Sequence, residues 1–565
     1  MKKKTHGQPV LPALALTAVL TSALAGAAPA GAADLSSILS DFTNPIVQKR
    51  DENGDIVFGG DPAVLVDGDT VYLYTGHDAS TDAEVASATY NIPEYLCYSS
   101  QDLITWKSEG VVMEMKDVSW ANGSTSAWAA QTVKHTDPST GKDMYYLYFC
   151  SWDRTARGKQ SIGVAVSESP TGPFTDIGQS LVPGYLTKPE TSAWNDIDPT
   201  VWVDTDENGT EHRYLAWGNG IFYCCELGED MISILDINGD GEITCGPAAQ
   251  GHDIVSSLKG LTSYTEAPWL YKRSSGNGED AGAGAGSGDG GSGESSSEDV
   301  SGDDSAGEYY LFYAWGWREG MGYARTSDPM SGEWTGATQF MAPTPTSNTN
   351  HEAVFDFNGK TYMIYHNGAL PGGSGYRRSA CIMEITFDED GNVTAPGLEG
   401  NFIDDTVTGP FGTACTLTVS GGARLSHEHF ICSVADADYP YSAVKVGAGL
   451  SEYEADARFV FTQGKADVTD GVSVQADNKA GLYLTATDEG TAVLAQDTEA
   501  TDESALRQTW IVRIEESEGG EADTADGALQ ARLESAAQAG LFVTVGADGL
   551  TLDESGTVLQ ITPEV

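Results

Sequence analysis

Residues 62–78 read PAVLVDGDTVYLYTGHD. An apolar run from Ala63 to Val66 meets the polar turn Asp67-Gly68-Asp69, and an aromatic-rich run from Val71 to Tyr74 follows. Two runs rich in β-branched and aromatic residues, broken by Gly and Asp, read as a hairpin. The same unit of apolar strand, polar turn and aromatic strand returns around DMYYLYFCSWD (143–153), in PTVWVDTDENGTEHRYLAWGN (199–219), in APWLYKR (267–273) with EYYLFYAWGW (308–317), and in HEAVFDFNGKTYMIYHN (351–367). Five hairpins recur roughly every 65 to 70 residues, a spacing that suits four-stranded blades. Helical periodicity is nearly absent. The expected fold is all-β, a five-bladed β-propeller over residues 34–405.

Between the two strands of the fourth unit lies an acidic Gly/Ser-rich tract, residues 274–307, whose only large apolar residue is Val300. Such a tract cannot bury enough surface to order itself, so it reads as a disordered, overgrown turn. From about residue 410 the pattern changes. GLYLTATDEGTAVLAQD (481–497) and GLFVTVGADGLTLDES (540–555) are one repeated unit, which points to a second all-β module over 410–565, β-trefoil-like, with an equivalent earlier unit that does not align.

The first 33 residues, a basic MKKKTHGQPV followed by a short Ala-rich apolar run and small residues in Ala-x-Ala spacing, read as a secretory signal peptide. No later segment is long and apolar enough for a membrane span, so the mature protein is expected outside the cell. Thirty basic against 83 acidic residues give a formal net charge of −53. That field repels nucleic acid, anionic lipid and polyuronates, and favours a neutral ligand; solubility or a saline or acidic habitat is the plain reason for the excess. Eight cysteines (97, 150, 224, 225, 245, 381, 415 and 432) permit disulfides in an exported chain. They lack metal spacing, and buried free thiols are the simpler reading.

Three carboxylates open strand units: Asp61 in GGDPAVLV, Asp198 in NDIDPTVWV and Glu266 in SYTEAPWLY. The first strand of each propeller blade lines the central channel, so equivalent positions in different blades converge. Cleavage of a glycoside needs one carboxylic acid on the leaving oxygen and one carboxylate on the opposite face, and a third charge sets their pKa values apart. A single Asp-Pro pair is ordinarily a turn; recurrence in register is the signal.

Together with LCYSSQDLITW (96–106), SAWAAQTVKH (126–135), NHEAVFDFNGKTYMIYHN (350–367) and GYRRSACIMEI (375–385), these motifs closely resemble glycoside hydrolase family 43, over about residues 45–395. The family includes α-L-arabinofuranosidases, β-xylosidases and arabinanases. The resemblance implies Asp61 as the general base that activates water, Asp198 as the residue that tunes pKa and holds orientation, and Glu266 as the general acid. It also implies inversion at the anomeric carbon, with acid and base about 6.5 to 9.5 Å apart. No cofactor is needed for that chemistry. His351 resembles a channel histidine that helps hold a structural calcium ion near the propeller axis, and a packing histidine is the alternative. Arg377 and Arg378 both match an arginine that reaches the sugar, with Arg378 favoured. Trp128 offers a flat face to a sugar ring or packs between blades. His77 in YTGHD is a further pocket candidate, and Asp196 a rival to Asp198 that lacks the Asp-Pro context.

Two motifs lead elsewhere. DINGDGEIT, from Asp236, imitates the start of a calcium loop, but its twelfth position is Pro247, so an acidic turn is the better reading. The C-terminal region resembles, more weakly, the arabinose-binding β-trefoil module of some arabinofuranosidases. Those pockets use His and Asp, and no histidine follows His429, so a cap on the propeller is an equal reading. The expectation is therefore a monomeric, secreted hydrolase that releases terminal arabinofuranose from arabinoxylan or arabinan. A β-xylosidase and a non-catalytic glycan-binding propeller are the alternatives. A five-bladed fructan enzyme would need another nucleophile motif near the N-terminus.

Overall fold

A computed structural model describes residues 35–563 apart from 36–37, 41–43, 48–50, 52–54, 157, 188–192, 207, 274–306, 345, 371, 395–413, 430–442, 480, 497–501 and 516–527. The leader (1–33), Cys432 and nearly all of the tract 274–307 lie outside the described residues.

Five antiparallel sheets follow one another along the chain. Blade I is built from Gly59–Asp67, Thr70–His77, Glu94–Ser100 and Lys107–Glu114. Blade II uses Gln131–Thr136, Asp143–Asp153, Lys159–Ser167 and Thr175–Asp176. Blade III uses Thr200–Thr205, Glu211–Trp217, Phe222–Glu226 and Ile254–Ser257, with Cys245–Gly246 as a parallel edge. Blade IV uses Trp269–Lys272, Tyr309–Trp315, Gly320–Thr326 and Thr335–Met341. Blade V uses Ala353–Phe357, Lys360–Asn367, Ser379–Phe387 and Val393–Thr394. The hairpin expected across the acidic tract is present, with Trp269 opposite Phe312 and Lys272 opposite Tyr309.

The first strand of each blade touches the first strand of the next, and the fifth returns to the first, which makes a five-bladed propeller. Side chains on the two faces of each blade pack into its neighbours. Val64, Leu73, Phe312, Trp269, Met363 and Ile382 belong to one such buried cluster. Among the described residues no strand is exchanged between the first and last blades. Asn44 instead clamps Ile382 on both sides, donating to its carbonyl at 2.8 Å and accepting its N–H at 3.0 Å. Ile46 N–H then donates to Ala380 O and Gly59 N–H to Arg378 O.

The C-terminal region forms an eleven-stranded sheet that closes on itself. Its repeat units are the hairpins Leu482–Ala486/Thr491–Gln496 and Phe542–Gly546/Gly549–Asp553. The unaligned third unit is the hairpin Leu425–His427/Val446–Ala448, and Leu425, Leu484 and Val543 share one core. One boundary differs from expectation. Leu35 and Ile38 are buried in this second core, and Leu39–Ser40 pairs in parallel with Arg458–Gln463, so the chain segment before the propeller belongs to the C-terminal sheet. The two parts meet at Gly481, whose left-handed backbone (φ +87°) lies so close that a Cβ there would sit 2.4 Å from Ala369 Cβ.

Six of the seven described cysteines are buried, and Cys245 is half-buried. No helix among the described residues is long and apolar enough to cross a membrane.

Candidate active site

At or just before the inner strands of blades I, III and IV stands a left-handed residue followed by proline: Asp61 (φ +51°), Asp198 (φ +57°) and Ala267 (φ +54°). Left-handed backbone is uncommon outside glycine and asparagine and collects at functional sites. In blade I the strand register slips between Gly60 and Ala63, a bulge of the kind that re-aims a side chain. The equivalent of Asp61 and Asp198 in blade IV is therefore Ala267, and Glu266 stands one residue earlier. Its longer side chain still reaches the same place. All three carboxyls line one pocket of about 240 Å³, with His351, Arg378 and Trp128.

Two expected residues do not line it. His77 closes the second strand of blade I and pairs with Glu94 at 2.9 Å; it is the next residue, Asp78, that faces the site. Arg377 points away, giving its Nε to Ser80 O and its Nη2 to Asp82. Asp196 is buried outside the pocket, where Oδ1 accepts Trp217 Nε1 at 2.8 Å and Oδ2 accepts the Thr187 hydroxyl at 2.6 Å.

Arg378 organises the charge. Its Nε and Nη2 grip Asp78 at 2.8 and 2.9 Å, and its Nη1 reaches Asp61 Oδ1 at 2.5 Å. The guanidinium also lies 5.0 Å from the Tyr90 ring centre. Gly60 makes room for it: a Cβ there would come within 2.3 Å of the guanidinium. Burial pushes the Asp61 carboxyl up, but the Arg378 guanidinium outweighs it and holds Asp61 below the ordinary aspartate value. His351 and His366 are pushed down by burial, to about 4 and about 3, so both rings are neutral at pH 7.

The other two carboxyls shift the opposite way. Asp198 is driven well above the usual range by burial and then by the nearby Glu266 and Asp61, although Oδ2 accepts Ala267 N–H at 3.0 Å. Glu266 is raised by burial and by Asp61, against the pull of Asn219, whose Nδ2 donates to Oε2 at 2.5 Å. A carboxyl held low and another held high, facing one cavity, are the opposed pair that acid–base cleavage uses. The aromatic wall is larger than the sequence suggests. Trp194, 47% exposed, stacks on Trp128 with ring centres 5.1 Å apart, and Tyr90 and Tyr376 complete it.

Calcium takes six to eight oxygen ligands. Among the described residues no group of three or more His, Cys, Asp or Glu side chains is placed to hold a metal ion, and His351 faces Asp61 and Arg378. In the Asp236 loop the carboxylate caps its own turn, accepting the N–H groups of Gly239 and Gly241 at 2.7 Å each.

Residues 42–276 match the family model of Glycosyl hydrolases family 43. Xylosidase/arabinosidase 43A of Humicola insolens is 26% identical over 360 residues, covering 60% of this chain and 96% of that protein. The arabinoxylan arabinofuranohydrolase of Paenibacillus polymyxa is 28% identical over 391 residues, 64% of this chain and 52% of that one. A crystal structure of a GH43_1 enzyme from Xanthomonas citri, complexed with xylose, superposes with a TM-score of 0.44 at 19% identity, covering 63% of this chain and 93% of its own.

Proposed function

Since the chain belongs to glycoside hydrolase family 43 and is an arabinofuranosidase or xylosidase, we propose that its pocket removes terminal α-L-arabinofuranose from arabinoxylan or arabinan, with inversion. The observation that carries this reading is the opposed shift of Asp61 and Glu266 across one cavity. Asp61, held ionised by Arg378, takes a proton from water as that water attacks the anomeric carbon. Glu266 gives its proton to the departing glycosidic oxygen. Asp198 accepts Ala267 N–H and is itself raised by burial and by Glu266, which holds it as a neutral, orienting neighbour of the pair.

The pocket volume, about 240 Å³, falls below the roughly 300–1,000 Å³ of ordinary ligand clefts, which suits one sugar unit better than a run of them. The stacked Trp128 and Trp194 offer an apolar face to a sugar ring. Trp128 Nε1 and Asn350 Nδ2 are buried at the wall without a hydrogen-bond partner, and sugar hydroxyls are natural acceptors for such donors. A net charge of −53 favours a neutral polysaccharide over a polyuronate.

The deciding experiment assays p-nitrophenyl α-L-arabinofuranoside and β-D-xyloside side by side and follows the product anomer by NMR. Preference for the arabinoside with the inverted sugar released first is expected. Preference for the xyloside makes it a β-xylosidase, and a retained anomer removes the roles given to Asp61 and Glu266.

A further inference from the structure

Glu319 lies in the turn between Tyr309–Trp315 and Gly320–Thr326 of blade IV. That turn folds back on the residues leading to Glu266. Gly316 N–H donates to Ser263 O at 2.8 Å, the Thr265 hydroxyl donates to Gly316 O at 3.0 Å, and Ala314 N–H donates to Glu266 O at 3.0 Å. Glu319 is 2% exposed. Its Oε2 accepts Asn350 N–H at 2.9 Å, while its Oε1 is buried and meets no N–H or O–H of a donor group. The Glu266 carboxyl lies near enough to act on it, and each perturbs the other.

Two carboxyls in contact share a hydrogen bond only if one of them carries a proton, and two carboxylates repel. The groups facing the pair are mostly acids. Asp61 acts on both members and Asp198 on Glu319, Arg378 gives its donors mainly to Asp61 and Asp78, and Glu352 lies near Asp198. The Tyr264 hydroxyl, also close to Glu266, is committed to Gly218 O at 2.7 Å. Burial first, and then Glu266, push the Glu319 carboxyl well above the usual range.

We propose that Glu319 stays protonated and donates its O–H to Glu266, stabilising the carboxylate that Glu266 becomes when it protonates the leaving group. The Glu266 proton passes to the glycosidic oxygen as the C–O bond breaks. The Glu319 proton stays where it is, and its hydrogen bond strengthens as its acceptor becomes charged. Glu319 does not line the pocket, so it is a positioning residue that acts through Glu266. The proposal rests on Glu266 being the acid of the reading above.

The test compares full-length wild type, Glu319→Gln and Glu319→Met on an unactivated arabino-oligosaccharide and on an aryl arabinofuranoside whose phenol departs without protonation. Gln keeps a neutral N–H donor and is expected to stay within threefold of wild-type kcat, with the alkaline limb of kcat/KM in place. Met lacks the donor. Its kcat on the oligosaccharide is expected to fall about ten- to a hundredfold with KM unchanged, its alkaline limb to move up, and the aryl substrate to suffer far less. An alkaline limb that moves down in either variant means that Glu319 is ionised, and overturns the proposal. So does a limb unmoved in Met, or a Gln variant as slow as Met. Should Met not fold, the position of the Gln limb alone decides. Glu266→Gln is run alongside: if it keeps oligosaccharide turnover, the assignment of the acid fails, whatever Glu319 does.

Discussion

Asp456 in the C-terminal sheet and Asp61 in the propeller are both carboxylates enclosed by polar side chains. Asp456 is fully buried and well supplied with donors: Ser451 Oγ at 2.5 Å, Asn478 Nδ2 and His429 Nδ1 at 2.8 Å, and His427 Nε2 at 3.2 Å. Around Asp61 the balance is reversed. Arg378 is shared between Asp61 and Asp78, and Asp198, Glu266 and Glu319 crowd in with few donors. Glu352 has no partner for either oxygen. A polar cluster that satisfies its members fixes a structure, whereas one with more acids than donors holds perturbed protons ready for use.

The strongest test of this contrast replaces the acids of the crowded cluster. Glu266→Gln and Asp61→Asn are each expected to lose about 10² to 10⁴ in kcat on an oligosaccharide while their melting curves stay near wild type. A residual rate above a tenth would break the assignment. The wild-type pH profile carries the same signs. Asp61 must be ionised and is held below the ordinary aspartate value by Arg378, and Glu266 must be protonated and is held above the ordinary glutamate value by burial. Thus kcat/KM is expected to rise with pH on an acid limb below the ordinary aspartate range and to fall on an alkaline limb above the ordinary glutamate range.

Asp456→Ala is the counterpart, and the expected loss is one of stability: roughly 2–5 kcal/mol, because several buried donors lose their acceptor at once. Turnover per folded molecule should hold. Denaturant melts paired with active-site titration check this, and a stable variant with lowered kcat would erase the distinction between the regions.

Asp196 sharpens the comparison inside the propeller, since it lies two residues from Asp198 but both its oxygens are matched. Burial pushes it up to about 6. The folded state therefore holds this proton more tightly than the unfolded chain. Its contribution is complete below about pH 4 and is lost as pH rises through about 6, a change of order 2–3 kcal/mol. Asp196→Asn keeps an acceptor for Trp217, so activity is expected within about threefold, with stability flatter between pH 4 and 6. The smallest effect is expected from deleting residues 276–305 and joining Arg273 to Glu308 through a short turn. The flanking strands already pair, and loop length costs only about 0.6 kcal/mol per doubling. A large fall in melting temperature or turnover would make the tract a working part.

What the sequence discloses follows from local pattern. Alternation and turn residues expose all five hairpins, and the residue before proline exposes Asp61 and Asp198, because local backbone sets both. Glu266 is found through the same cue although Ala267 holds the equivalent position. His77 turns instead to Glu94, and the next residue, Asp78, is the one that grips Arg378. Glu319 is one of 83 acidic residues, sits in a turn, and gains meaning only when blade IV folds its turn onto Ser263 and Thr265. The third hairpin of the C-terminal sheet is hidden by the long stretch between His427 and Val446, and a two-residue strand at Leu39–Ser40 has no periodicity to read.

The seam between the first and last blades also sets a timetable for synthesis. Asp61 and Arg378 are 317 residues apart, and Asn44 waits 338 residues for Ile382. At about 5–20 residues per second, Asp61 emerges roughly fifteen seconds to a minute before its guanidinium exists. Leu39 waits longer still for Phe461. A nascent chain can stack four blades and yet remain an open ring with an unneutralised acid at its rim. Neither the charge clamp nor the ring closure can form until blade V has been made, so the growing polypeptide stays catalytically silent to a late stage.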